Sequence, residues 1–309
     1  MKSIAIWYSP VNKNNISLRD VELHFNFWKI PNGAKPSSKF LDIGIKLENT
    51  ENVEFLNIYF PSRVNPNEFE DIISKFIHKP DLVSAIFNEN YKVVSNATSK
   101  VYGIKDTSDN LVFDVYKTSE NDLYFYELYN GTVVKIKILK QLNKSYYRFR
   151  IRGNFTQSLS IISKPSNAIL ESAFSEIEML DFRVNEARDL NHDLLEKISE
   201  EVLLKINKQH FFFICSSEED VIGTHQPFIS CRNLENYRWG GYVDLPNANN
   251  RTFLAYHWKE KDKESVSTLI KTKYEKNNWK TILKYSAIAF TIAVLIELFS
   301  NWFYDWLKK

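Results

Sequence analysis

The chain has 309 residues, with 40 Lys and Arg against 38 Asp and Glu for a formal charge of +2, an excess too small to dictate a partner. Aromatic residues at 15% with only 8 glycines exclude a disordered chain, and the length suffices for one large or two small domains with a real core. The 2 cysteines, Cys215 and Cys231, exclude a disulfide framework and fit a reducing compartment.

The N-terminus, Met1 to Trp7, lacks the long apolar core of a signal peptide and reads as a strand. Alternating runs follow at Leu23 to Trp28, Phe40 to Ile45 and Phe55 to Phe60, with connections short enough for antiparallel pairing. Asn65 then reads as an N-cap, Pro66 as the first helical residue and Glu68 as the partner in a capping box. The stripe Phe69, Ile72, Ile73, Phe76 and Ile77 predicts one amphipathic helix across a sheet face, ended by Pro80.

Asn130-Gly131 is a hairpin signal between Leu123 to Tyr129 and Thr132 to Leu139, and a second turn at Gln141 to Lys144 leads into Tyr146 to Arg152. If both turns are tight, Lys135 and Lys137 lie opposite Arg150 and Arg148, Arg152 continues the row, and Tyr124 and Tyr126 join the same face. Like charges opposite one another cost up to roughly 1 kcal/mol per pair, so the row needs a reason. One reading is an anion site for phosphate groups or anionic lipid headgroups, and the other is a solvated face whose long side chains splay into water.

Pro165, Ser166 and Asn167 mark a boundary between a β-rich domain, 1–164, and an α+β continuation or second subdomain, 165–260. Beyond it come a long strand from Glu176, a helix capped by Asn191 or His192 and running to about Lys205, and the apolar strands His210 to Cys215 and Thr252 to Trp258. Gly240-Gly241 reads as a turn between those strands. From about Lys263 the pattern turns helical, predicting a basic juxtamembrane helix over 261–284 with Lys271, Lys273, Lys276, Lys280 and Lys284.

That rod leads into a transmembrane helix, 285–307, long enough at about 1.5 Å per residue to cross a hydrocarbon core of roughly 30 Å. Trp279 and Tyr285 flank it on one side and Trp302, Tyr304 and Trp306 on the other, as rings at the two headgroup levels do. Ser286, Ala289, Ala293, Glu297, Asn301 and Asp305 share one helix face. A carboxylate near the bilayer centre costs at least about 3 kcal/mol, so Glu297 calls for a partner or water. Either the polar residues snorkel from a short anchor, or the helix self-associates and its polar face lines an oligomer or pore. The lysines before the span, against Lys308 and Lys309 after it, predict that the body stays in the cytoplasm, and the expected location is the cell inner membrane, crossed once.

Catalysis finds no constellation. No P-loop, Rossmann fingerprint or nucleophile elbow occurs, and His24, His78, His192 and His257 lack sequence neighbours that suggest a triad. His210 and Cys215 invite a zinc reading with His225 and Cys231, but their spacing on a strand points them to opposite faces. Glu218-Glu219-Asp220 follow an apolar strand, where strand-end acids could bind a metal for hydrolysis, but a run of three acids there reads rather as an exposed turn. The expectation is a non-enzyme of α+β class, β-rich, without metal or cofactor.

A β-rich cytosolic body with a basic patch and one terminal membrane helix resembles, in layout, the membrane effectors of prokaryotic antiviral defence, in particular the membrane proteins that partner short prokaryotic Argonautes. The resemblance implies an effector that assembles and disrupts or depolarises the membrane after a partner protein detects invading nucleic acid. Implied partners are anionic membrane lipids, a sensor protein and further copies of the chain, without direct sequence-specific nucleic-acid binding. It carries over no residue. The alternative is an anchored scaffold or anionic-ligand-binding module with an inert tail.

Overall fold

Alternation in the first third becomes β1 (Ala5–Pro10), β2 (Val21–Asn32), β3 (Lys35–Glu48) and β4 (Val53–Phe60) in a computed structural model that describes residues 3–13, 18, 20–32, 35–95, 100–163, 175–243, 252–275 and 279–307. The capping box at Asn65 forms, Glu68 accepting from the Asn65 backbone N–H at 2.8 Å, but it caps only the turn Pro66–Glu68. Phe69–Asp71 leaves the helical path as β5, because its backbone finds partners on a neighbouring strand. Helix resumes as the short α1 (Ile73–Phe76), and Pro80, expected to end a helix, opens α2 (Pro80–Phe87), where its missing N–H costs nothing.

The chain continues through β6 (Lys92–Ser95), β7 (Val101–Lys105), β8 (Leu111–Tyr116), β9 (Leu123–Leu128), β10 (Gly131–Lys137), β11 (Lys144–Ile151), α3 (Asn154–Ser158) and β12 (Ser160–Ser163). Next come β13 (Ser175–Val184), α4 (His192–Ser199), β14 (Val202–Leu203), β15 (Ile206–Ser216), β16 (Glu219–Thr224) and β17 (Ser230–Leu234). The last elements are α5 (Asn236–Val243), β18 (Phe253–Lys263), β19 (Val266–Glu275) and α6 (Trp279–Leu307). The helix at Asn191 is shorter than expected, but its cap is real: the Asn191 side chain accepts from the Asp193 N–H at 2.9 Å. Gly240-Gly241 lies inside α5 instead of a turn. The β9–β10 turn is Tyr129–Asn130, both with positive φ, so Gly131 opens β10, where a Cβ would run into the Phe60 carbonyl.

Strands form a five-stranded sheet (β14-β1-β4-β10-β9), a ten-stranded sheet (β17-β18-β15-β2-β3-β11-β8-β7-β6, with β5 beside β11) and a four-stranded sheet (β12-β13-β19-β16). Only β2–β15 and β8–β11 pair in parallel among the described strand pairs. Alternation along β2 explains the layering. Leu23, Phe25 and Phe27 enter the main core with Ile6, Ile58 and Val134 of the five-stranded sheet. Trp28 faces the opposite side, where Phe76, Leu82 and Trp239 cover the ten-stranded sheet with helices α1, α2 and α5. The outer face of the five-stranded sheet packs Trp7, Tyr59 and Val133 against Leu194 and Ile198 of α4.

The ranges 1–164 and 165–260 interleave in these sheets: β14 sits on β1, and β15 lies between β2 and β18. The boundary expected at Pro165 lies outside the described residues. The protein is thus α+β and β-rich, with a few packed helices and one apolar C-terminal helix.

Candidate functional site

Helix α6 is 29 residues long, and Ile282–Tyr304 within it is long and apolar enough to cross a membrane, with none of that stretch buried against the body. Phe290, Leu295, Ile296, Leu298 and Phe299 are exposed. Glu297 and Asn301 stand at helical spacing from Ser286, Ala289 and Ala293, all exposed, and Asp305 follows at the next spacing of the same helix. Thr291 satisfies its hydroxyl internally by donating to the Ala287 carbonyl at 2.9 Å, as a hydroxyl in apolar surroundings does.

The basic helix expected over 261–284 is corrected. Val266, Thr268, Ile270 and Thr272 are buried at every second position, a strand period, and β19 takes that stretch between β13 and β16. Lys271 and Lys273 therefore stand on a strand, and Lys280 and Lys284 on the first turns of α6. Lys276 lies outside the described residues. The tail is rooted in a sheet, not in a rod.

Beneath β19 lies a buried ion cluster. Lys29 of β2 reaches Glu178 Oε2 at 2.6 Å and Glu219 Oε1 at 2.5 Å, while Lys39 of β3 pairs with Glu178 Oε1 and donates to Ser160 Oγ at 2.7 Å. Glu178 stands opposite Thr272 in the β13–β19 register, and Glu219 opposite Tyr274 in the β16–β19 register. The Lys29 ammonium also sits 3.9 Å from the centre of the Tyr274 ring. Burial would raise Glu178, but Lys29 and Lys39 overcome it and hold the carboxyl below its ordinary range. For Glu219 burial wins over Lys29 and raises the carboxyl. Two strands of the ten-stranded sheet thus grip the sheet from which the tail departs.

The predicted basic face does not exist as one surface. Strand β10 pairs with β4 and β9, whereas β11 pairs with β3, β5 and β8 in another sheet, because the segment after Lys137 crosses between sheets instead of closing a tight hairpin. Lys135 does stand opposite Tyr124, with Tyr126 on the same face, but its ammonium lies 3.9 Å over the Phe55 ring. Lys137 is exposed at the strand end.

Arg148 and Arg150, 1% and 0% exposed, face the helix layer. Arg150 donates to both Asp42 oxygens at 2.6 and 3.1 Å and to the Tyr242 carbonyl at 2.8 Å. Arg148 donates to the hydroxyls of Tyr242 at 2.8 Å and Tyr146 at 2.7 Å, and the Tyr242 hydroxyl donates to Asp42 at 2.7 Å. This buried network ties α5 to the sheet, although Arg148 Nη2 makes no hydrogen bond in it and lies 4.0 Å from Asp42 Oδ2. Arg152 is partly exposed and pairs with Glu70 at 3.0 Å.

Histidines that the sequence leaves isolated are brought together. The parallel register sets His24 of β2 directly beside His210 of β15, with Glu22 on the same face of β2, and His257 of β18 reaches His210 at 2.9 Å. Counting along the chain does not find this grouping, since it requires two distant strands to pair in parallel. Its one local trace is the period-two spacing of Glu22 and His24. No protein-family model matches the chain, and no curated protein matches it in sequence.

Proposed function

We propose that the chain is a single-pass membrane effector: its β-rich body lies in the cytoplasm at the inner membrane, and its tail helices, brought together on triggering, permeabilise the bilayer. The observation that carries this reading is a membrane-length helix, free of the body, that keeps Ser286, Ala289, Ala293, Glu297 and Asn301 in line on one side. Small residues on that side allow two helices to approach closely, and a carboxylate in hydrocarbon gains from a partner helix or a water path. Assembly supplies both.

Lys271, Lys273 and Lys280 before the span, with Lys284 at its entry, support the cytoplasmic placement of the body. The ion cluster under β19 offers a route by which a sensor protein bound to the body would act on the tail root. The reaction is physical, without a catalytic step, and the layout fits abortive-infection defence.

The test replaces Tyr285 to Leu307 by a polyleucine span and measures dye leakage from vesicles of anionic and neutral lipid. The variant should remain in the membrane and lose leakage. Full leakage from polyleucine sinks the proposal. Retained partner binding without any leakage from the natural sequence favours a scaffold with an inert anchor.

A further inference from the structure

We propose that Glu22, His24 and His210 form a site for a divalent transition-metal ion of the zinc type. Glu22 and His24 are two residues apart on β2 and so project from one face, and His210 is the residue set beside His24 by the parallel β2–β15 register. The Glu22 Oε1 atom lies 3.0 Å from His24 Nε2 and 3.4 Å from His210 Nε2, and the ligating atoms all lie within 4.8 Å of one another. Around a zinc ion held at about 2.0–2.1 Å, tetrahedral ligand atoms stand about 3.3–3.4 Å apart. Both carboxylate–imidazole edges therefore already have close to the spacing that the ion would impose.

The surrounding groups orient the ligands. His210 Nδ1 lies 2.9 Å from His257 Nε2, and His257 Nδ1 lies 3.5 Å from Ser230 Oγ. With His210 donating through Nδ1, its Nε2 lone pair faces a carboxylate oxygen, an arrangement that a cation between them relieves. This outer partner is the usual device that fixes the tautomer of a metal-bound imidazole. The second Glu22 oxygen faces Lys46 Nζ at 3.7 Å, which favours one-oxygen ligation through Oε1. All three ligands are partly buried, so an ion can enter, and three protein ligands leave a fourth position for water or a small anion. Glu22 also borders a cleft of about 260 Å³ lined by Asp20, Glu48, Lys46, Lys144 and Lys208, room through which an ion and its water can reach the site. The cluster His192, Asp193 and Glu196 differs: it is wholly exposed at the start of α4.

The test uses the full chain in detergent micelles, stripped with a chelator and dialysed against Zn²⁺, with Co²⁺ as a coloured probe. One ion per chain is expected, together with a rise in Tm on adding Zn²⁺. His24→Ala, His210→Ala and Glu22→Gln should each weaken binding at least 100-fold, and His257→Ala by 10- to 100-fold. His192→Ala should change nothing. Thermal unfolding of the metal-free variants identifies any that fail to fold, and the Tm rise of the natural chain reads the site without a substitution. No Zn²⁺-dependent Tm rise, or stoichiometry lost with His192→Ala but kept in His24→Ala and His210→Ala, overturns the proposal. Neither readout involves leakage, so it stands or falls apart from the membrane reading.

Discussion

Replacing Lys29 by Met tests whether the body holds the tail root through buried charge. Lys29 is 2% exposed and lies within 2.5–2.6 Å of Glu178 and Glu219, themselves 3% exposed. Removing the cation leaves Glu219 without its lysine, while Glu178 keeps Lys39. Loss of one member of a buried pair costs about 3–5 kcal/mol, against about 0–1 kcal/mol for an exposed pair. The expected loss at pH 7 is therefore about 3–5 kcal/mol, read by urea unfolding of the full chain in micelles.

The sign of the pH dependence follows from the carboxyls. Glu219 is raised above its ordinary 4.5 by burial even with Lys29 present, and its shift rises further in the variant. A raised folded pKa gives a contribution that is full below the unfolded value and lost as pH rises through the folded value. Glu178 is held low against burial by Lys29 and Lys39, so its contribution is present above the unfolded value and lost as pH falls through the folded one. The Glu219 effect makes the variant's deficit shrink as pH drops from 7 toward 4.5, and the Glu178 effect shrinks it further only below 4.5. Lys29→Met with Glu219→Leu should recover part of the loss, because the stranded carboxylate is gone. A deficit under about 1 kcal/mol at pH 7, or one that grows on acidification, refutes the reasoning.

Arg150 of β11 and Arg152, just past its end, make a sharp contrast: Arg150→Met should cost about 3–5 kcal/mol by taking from Asp42 its buried cation, and Arg152→Met less than about 1 kcal/mol, both measured by the same unfolding assay. Glu297→Leu should insert more readily by roughly 3 kcal/mol, since it lies four residues, or about 6 Å, from the middle residue of Ile282–Tyr304, while leaking less. Insertion is read by a translocon assay and leakage by dye release. Better insertion with undiminished leakage would remove Glu297 from the breach.

The tail and the first strands were legible because length, hydrophobicity and period are local properties, and local properties survive any tertiary arrangement. The capping box at Asn65 was legible for the same reason, yet the helix after it was not: the apolar stripe from Phe69 fits a helix, but β11 offers Phe69–Asp71 a ladder. The basic face failed at one assumption, that the chain after Lys137 turns tightly. Strand β11 lies between sheet neighbours and beneath helices, so nearly all its residues are buried, and a row of arginines there means internal ion pairs instead of a solvated or anion-binding surface. Burial on both faces erases the period that would have told the two apart.

The same limit hid the features that matter most around the tail and the histidines, since both are made by β2 meeting strands far along the chain. Lys29 finds Glu178 and Glu219 across a sheet boundary, and Glu22 and His24 find His210 across a parallel pair. One strand therefore bears the proposed metal ligands near its start and the cation that fastens the tail sheet near its end. His24 and Lys29 are five residues apart, about 17 Å along an extended strand. A rigid, centrally placed strand is a physical means of joining the two places, because both its neighbours, β3 and β15, hold it along its length. Whether that continuity carries energy is decided by a double-mutant cycle between Lys29→Met and His210→Ala. Sites so far apart add to within about 0.5 kcal/mol unless the strand couples them.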